Sequence, residues 1–212
     1  MIHNNKTDVQ VCIVDDDNEV LDALSWLLRS RQLPCAMFSS GELFLDWLNQ
    51  QPPITAYVRV ILLDVRMQQL SGLQVFDKLR ERNLHTTMPV IFLTGHGDVP
   101  MAVEALKNGA FDFFEKPFND NKLVDRIEEA VLQARDLMKT VRLGAQLKVR
   151  LASLTDRERE VMHHVLNSQT NKDIAESLLI SARTVEVHRA RLFEKLSVKN
   201  GVELSQLIKK NQ

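Results

Sequence analysis

Asp15, Asp16 and Asp17 follow one apolar run, Asp64 closes another, Thr94 closes a third and Lys116 follows a last one. Carboxylates gathered at one place repel each other, so a hard divalent cation is what would hold them together. Mg2+ suits that set, because it takes carboxylate oxygens together with water and a phosphate oxygen. The same ion neutralises a phosphoryl group on its way to a carboxylate nucleophile. A hydroxyl at Thr94 and an ammonium at Lys116 would then bind two further phosphoryl oxygens. Each residue also has a plainer use. The acidic run can cap the next helix, as Asp17 is expected to do; Lys116 before Pro117 can be solvated; Thr94 can be a turn residue. Different polar residue types at four run ends are what favour one shared site.

Positioning them requires elements that end at the same edge. Apolar runs at Val9–Val14, Cys35–Phe38, Val58–Leu63 (broken only by Arg59), Val90–Leu93 and Phe111–Phe114 read as strands. Between them, helical patterns run over Glu19–Ser30, Gly41–Asn49, Leu73–Glu81 and Pro100–Asn108, and a helix resumes after Pro117. Strands apolar along their length belong to parallel sheets covered on both faces. Five β–α units in sequence therefore predict an α/β doubly wound five-stranded parallel sheet. Ligands bind such sheets beyond the carboxyl ends of the strands, where the polar residues lie.

From about Asn121 a helix carries Leu123, Ile127, Ala130, Ala134, Leu137 and Val141 at steps of four and three. That stripe either packs on the sheet or pairs with a second chain. Gly144 and the segment Gln146–Ser153 read as an interdomain connection. Beyond Leu154 strand signals cease. Thr155 with Glu158 three residues on reads as a capping box. Helices are expected over Asp156–Leu166, Asn171–Leu178, Thr184–Leu196 and Val202–Lys209, a small all-α domain of about sixty residues. Its second and third helices, joined by Leu179–Arg183, have helix-turn-helix dimensions. Arg183, Arg189, Arg191 and Lys195 on the open faces of the third suit phosphate contact, while Val185, Leu192, Leu196 and partly Val187 face inward.

Charge divides the same way. Residues 139–212 hold 14 Lys+Arg against 8 Asp+Glu, whereas the remaining residues hold 13 against 20. A basic end on an acidic body suits a polyanion partner. With 44% apolar and 26% charged residues the composition is that of a globular protein, not a fibrous or disordered one. The polar N-terminus lacks the apolar core of a signal peptide, and no run approaches a membrane span. A cytoplasmic location without membrane attachment is expected. Cys12 and Cys35 lie in strand-like runs and are expected as free thiols.

The runs VDDD (Val14–Asp17), ILLDVRM (Ile61–Met67), SG (Ser71–Gly72), LTGHGD (Leu93–Asp98) and FFEKP (Phe113–Pro117) resemble the receiver domains of two-component response regulators over about residues 8–130. The resemblance implies a flavodoxin-like receiver whose Asp64 is phosphorylated by a sensor histidine kinase. It implies that Asp16 and Asp64 bind Mg2+ directly with the Arg66 backbone carbonyl, and that Asp15 acts mainly through water. Thr94 and Phe113 would be the switch pair, and the Lys116–Pro117 bond would be cis. Gln68 departs from the pattern, which has proline one residue after Met67. The stretch Asn49–Tyr57 is longer than usual. Arg66 and His96, flanking the site, either tune hydrolysis or are plain exposed side chains.

LTDREREV (Leu154–Val161) and NKDIAESLLISARTVEVHRARLFEKL (Asn171–Leu196) are similar to the FixJ/NarL type of regulator with a LuxR-type helix-turn-helix. This implies that Glu186, Val187 and Ala190 face base edges, with Lys172, Thr184, His188, Arg189 and Arg191 nearer the backbone; His188 serves equally as a core or capping residue. A glutamate at a reading position accepts from a cytosine amino group. The expected domains are 1–125 receiver, 126–152 helical extension and linker, and 153–212 helix-turn-helix. Expected partners are the kinase, double-stranded DNA, RNA polymerase and, on phosphorylation, a second copy of the chain. A Mg2+-dependent phosphotransferase lacks a candidate substrate pocket here. A constitutive DNA binder would not need the complete set Asp15, Asp16, Asp64, Thr94 and Lys116.

Overall fold

The computed structural model describes residues 8–51, 57–95 and 99–209. His96 and part of the long Asn49–Tyr57 stretch lie outside them. The chain divides into two compact units, Met1–Lys139 and Thr140–Gln212. The division falls within the segment expected as a helical linker.

In the first unit, strands β1 (Val9–Val14), β2 (Cys35–Phe38), β3 (Val58–Asp64), β4 (Val90–Thr94) and β5 (Asp112–Glu115) form one parallel sheet in the order β2-β1-β3-β4-β5. The chain starts in β1, steps outward to β2, then crosses to β3 on the other side of β1. The two directions of winding part between β1 and β3, which is where doubly wound sheets open a crevice. The helices are α1 (Asn18–Ser30), α2 (Gly41–Asn49), α3 (Gly72–Glu81), α4 (Val99–Lys107) and the part of α5 (Asp120–Ala152) up to Lys139.

Side chains alternate across the sheet with the period of two that a strand imposes. Val9, Val11, Ile13, Val60, Leu62, Ile91 and Leu93 pack beneath α1 and α5. Cys12, Val14, Ile61, Leu63, Val90 and Phe92 pack beneath α2, α3 and α4. Because both faces are covered, almost every strand residue is apolar. Arg59, a charged residue in the middle of the sheet, is buried, its guanidinium lies 4.8 Å from the Trp47 ring, and it donates to Gln10 at 3.2 Å and Gln51 at 3.0 Å. Cys12 and Cys35 are free and belong to opposite faces.

Helix starts follow from local chemistry. Asp17 caps α1, accepting from the Glu19 N–H at 2.9 Å. Ser40 caps α2, and Ser71 with Gln74 forms a capping box on α3. The stripe on α5 is buried against the sheet at Leu123, Ile127, Ala130 and Ala134, whereas Leu137 and Val141 are 36% and 44% exposed. Intramolecular packing thus uses the stripe through Ala134. Each fully buried Leu or Ile there is worth about 2 kcal/mol. The connection expected around Gly144 is helical, since α5 runs on to Ala152.

The second unit contains α6 (Asp156–Leu166), α7 (Asn171–Leu178), α8 (Ala182–Leu196) and α9 (Gly201–Lys209). Val161, Met162, Val165, Ile174, Val185, Leu192, Leu196 and Leu204 form its core, joined by Leu147 from the later part of α5. Thr155 with Glu158 and Thr170 with Asp173 make capping boxes at the starts of α6 and α7. Among the described residues no helix is long and apolar enough to cross a membrane.

Candidate functional site

Adjacent parallel strands deliver their last residues to one edge. Asp15 follows β1, Asp64 ends β3, Thr94 ends β4 and Lys116 follows β5. The Lys116 ammonium donates to Asp15 Oδ2 at 2.7 Å and to Asp64 Oδ1 at 2.6 Å. The remaining carboxylate oxygens also have donors: the Asp17 N–H reaches Asp15 Oδ1 at 3.0 Å, and the Arg66 N–H reaches Asp64 Oδ2 at 2.7 Å. Asp16 is exposed and accepts from the Gln68 N–H at 3.0 Å. The expected Lys116–Pro117 cis bond is present.

Asp15, Asp16 and Asp64 each present one oxygen to a cluster whose ligand atoms lie within 4.8 Å of one another. An all-oxygen, anionic donor set fits a hard divalent cation and suits neither soft nor imidazole-seeking metals. The cluster can therefore coordinate a divalent metal, with two buried carboxylates and one exposed one.

Electrostatics follow from this crowding. Burial pushes the Asp64 carboxyl above its ordinary range, against the pull of Lys116; Asp15 adds to the push and the Arg66 N–H resists it. Burial opposes the charge on Lys116, yet hydrogen bonds to Asp15 and Asp64 outweigh it and hold the ammonium above its usual value. One ammonium thus answers two carboxylates.

Thr94 is fully buried and its hydroxyl has no hydrogen-bond partner, a state that costs roughly 1–3 kcal/mol when nothing completes it. Phe113, on β5 beside Phe92, is half-buried and packs on the face beneath α2, α3 and α4. Behind the cluster, the loop after β3 returns so closely that a Cβ on Gly72 would lie 2.0 Å from the Asp64 carbonyl oxygen. Only glycine admits that approach.

In the second unit, α7 ends at Leu179, whose backbone is left-handed (φ 55°, ψ 44°), and Ser181 caps α8 by accepting from the Thr184 N–H at 3.0 Å. Lys172 is exposed on α7; Arg183, Glu186, Val187, Ala190 and Arg191 are exposed on α8. Positions 183, 186, 187, 190 and 191 recur at helical spacing, so they share one face. Val187 is 45% exposed and is not among the residues of the second core.

Three residues expected at DNA, Lys195, Arg189 and His188, are half-buried. Lys195, expected at a phosphate, donates to the buried Glu158 carboxylate at 2.6 Å and to the Ser153 carbonyl at 3.0 Å. A buried carboxylate needs a counter-charge, and Lys195 supplies it. The Arg189 guanidinium lies 5.5 Å from the Phe193 ring and is half-buried. His188 is half-buried, with Nδ1 buried and without a hydrogen-bond partner. Sequence reasoning missed the Glu158–Lys195 pair because its partners lie 37 residues apart. It read Glu158 only as a cap.

The fold, the acidic cluster and the helix-turn-helix agree with the comparisons to known proteins. Residues 11–128 match the response regulator receiver domain, and residues 152–208 match the luxR family of bacterial regulatory proteins. The chain belongs to the response regulators, in the branch that joins a receiver to a LuxR-type helix-turn-helix. It is 42% identical to the response regulator protein TmoT of Ectopseudomonas mendocina, over 95% of this chain and 89% of that one. It is also 42% identical to the C4-dicarboxylate transport transcriptional regulatory protein DctR of Rhodobacter capsulatus, over 93% and 98%. Among solved structures, response regulator StyR superposes with a TM-score of 0.84 at 33% identity, covering 96% of this chain and 99% of that chain. Membership places the protein among regulators that handle a phosphoryl group on their own aspartate, not among enzymes that turn over a free substrate.

Proposed function

We propose that Asp64 accepts a phosphoryl group from a sensor histidine kinase, and that this modification promotes dimerisation and DNA binding by the C-terminal domain. The observation that carries the reading is the Lys116 ammonium held 2.6 Å from Asp64, with the unpartnered Thr94 hydroxyl on the neighbouring strand. Bound at Asp15, Asp16, Asp64 and the Arg66 backbone carbonyl, Mg2+ would supply charge neutralisation for the incoming phosphoryl oxygens. An Asp64 carboxylate oxygen attacks phosphorus and the donor's P–N bond breaks, leaving an acyl phosphate. Lys116 then exchanges part of its carboxylate contact for a phosphoryl oxygen, and the Thr94 hydroxyl donates to another. Drawing Thr94 toward the phosphate frees space for Phe113 to turn inward, which remodels the surface of α4, β5 and the start of α5. That surface is where a second copy would pair.

On the DNA-binding side, Glu186, Val187 and Ala190 face base edges, while Lys172, Thr184, Arg189 and Arg191 lie nearer the backbone; His188 and Lys195 mainly support the helix. RNA polymerase is the expected downstream partner and the cytoplasm the expected location. As domain limits we take 1–125 for the receiver, 126–152 for the helical extension and 153–212 for the DNA-binding domain.

Incubation with acetyl phosphate and Mg2+, followed by intact mass, tests the acceptor. The wild type gains one phosphoryl mass and Asp64→Asn gains none; label retained on the variant overturns the assignment. Sedimentation with a phosphoryl mimic tests the coupling, which fails if neither mass nor DNA affinity rises.

A further inference from the structure

The loop after β3 donates two backbone N–H groups to two carboxylates of the cluster: Arg66 to Asp64 at 2.7 Å and Gln68 to Asp16 at 3.0 Å. These carboxylates come from the ends of different strands, and Asp16 is the exposed member of the set. An exposed aspartate has free side-chain torsions and would ordinarily point to water. Here one oxygen is fixed by the Gln68 N–H, and Asp16 still presents an oxygen within 4.8 Å of its partners'. A carboxylate has two oxygens and about four acceptor positions, so accepting this bond leaves capacity for a cation.

We propose that Gln68 is a positioning residue, whose backbone N–H holds Asp16 in its metal-binding orientation and so raises the affinity of the site for the divalent cation. The proposal rests on the metal-binding reading of the cluster and deepens it. The proline expected at this position has no N–H and cannot make the bond. In this chain the metal ligand and the loop are therefore linked: ordering one orders the other, and the effect is reciprocal. The side chain of Gln68 is immaterial to this role.

The test is Mg2+ binding to the full unphosphorylated chain by calorimetry, comparing wild type, Gln68→Ala and Gln68→Pro. Losing one net hydrogen bond corresponds to binding weakened about three- to tenfold. Gln68→Ala keeps the N–H and is expected to bind like wild type, whereas Gln68→Pro binds Mg2+ weaker by that factor. In parallel, hydrogen exchange at the Gln68 amide is expected to quicken in Asp16→Ala, a readout independent of any effect of proline on the loop. Equal Mg2+ affinity in the alanine and proline variants, or tighter binding by the proline variant, overturns the positioning role while leaving the metal site intact. So does a Gln68 amide whose exchange is the same in wild type and Asp16→Ala. Absence of Mg2+ binding by the wild type itself overturns both the positioning role and the metal reading beneath it.

Discussion

Lys195 Nζ sits 2.6 Å from Glu158 Oε2 and ties α8 to the N-terminal turn of α6. Glu158 is 3% exposed, so this is the counter-charge of a buried carboxylate and not a rim contact. Lys195→Met should lower stability by about 1–3 kcal/mol in urea unfolding. The salt slope of duplex binding should not change. Arg191→Ala should do the reverse, reducing that slope by about one with little loss of stability. A Lys195→Met slope shallower by one would return Lys195 to the DNA backbone.

The same pair sets an acid limit. Burial works against ionising Glu158, but Lys195 and the Thr155 donors outweigh it, and the carboxyl is held below its ordinary value of 4.5. A depressed folded-state value means stability that is complete above the unfolded value and lost as pH falls through the folded one. The helix-turn-helix transition should therefore weaken with acid below about pH 4.5, and Glu158→Gln should flatten that part of the profile. An unchanged slope in the variant would show that other carboxylates set the limit.

Leu179 is 91% exposed and left-handed at φ 55°. A non-glycine residue there costs about 1–2 kcal/mol, against which glycine adds under about 1 kcal/mol of unfolded-chain entropy. Leu179→Gly should raise stability by roughly 0.5–1 kcal/mol, read as a higher denaturant midpoint at unchanged m-value. A drop would mean that the exposed leucine is supported by contacts beyond its backbone.

Removing the ammonium at the acidic cluster leaves Asp15 and Asp64 facing each other. Lys116→Met should cost about 2–4 kcal/mol at neutral pH and be partly rescued by Mg2+ or by mild acid. Because the folded-state value of Lys116 is raised, its contribution is whole below its ordinary 10.5 and is lost only as pH rises through the folded value. A variant as stable as wild type without Mg2+ would contradict the assigned role.

Gly72→Ala drives a methyl against the Asp64 carbonyl, where a Cβ would stand 2.0 Å away. The loop or the strand end must move, at a cost of about 2–4 kcal/mol. Phosphorylation by acetyl phosphate should slow markedly, since the displaced backbone carries the proposed acceptor Asp64. Normal labelling kinetics in a folded variant would show that the loop yields freely.

Much of this was legible in the chain because the signals were local. Continuous apolar runs announced buried parallel strands, and four polar residues at strand ends announced the site. Both ends of α2, α6, α7, β1 and β2 match the sequence reading, whereas α4 and β5 are displaced by one residue and the start of α8 by two. What stayed hidden was long-range or backbone-borne. The partner of Lys195 lies 37 residues away, and the Gln68 donor is an N–H that every residue but proline possesses. Gly144 reads as part of a connection, and α5 passes through it, its later turns supported by Leu147 in the second core.

The opposed placement of the two cysteines has a practical outcome. Burial pushes the Cys12 thiol up to about 12, with Arg59 pulling down and Cys35 adding slightly to the rise. Only the thiolate reacts with alkylating reagents, so Cys12 stays silent while β1 is paired on both sides. Both cysteines lie in the first unit and none in the second. Cys12 is thus a native clock for the opening of the receiver sheet. Its labelling rate can follow the stability of that unit, free or phosphorylated, without any signal from the DNA-binding helices.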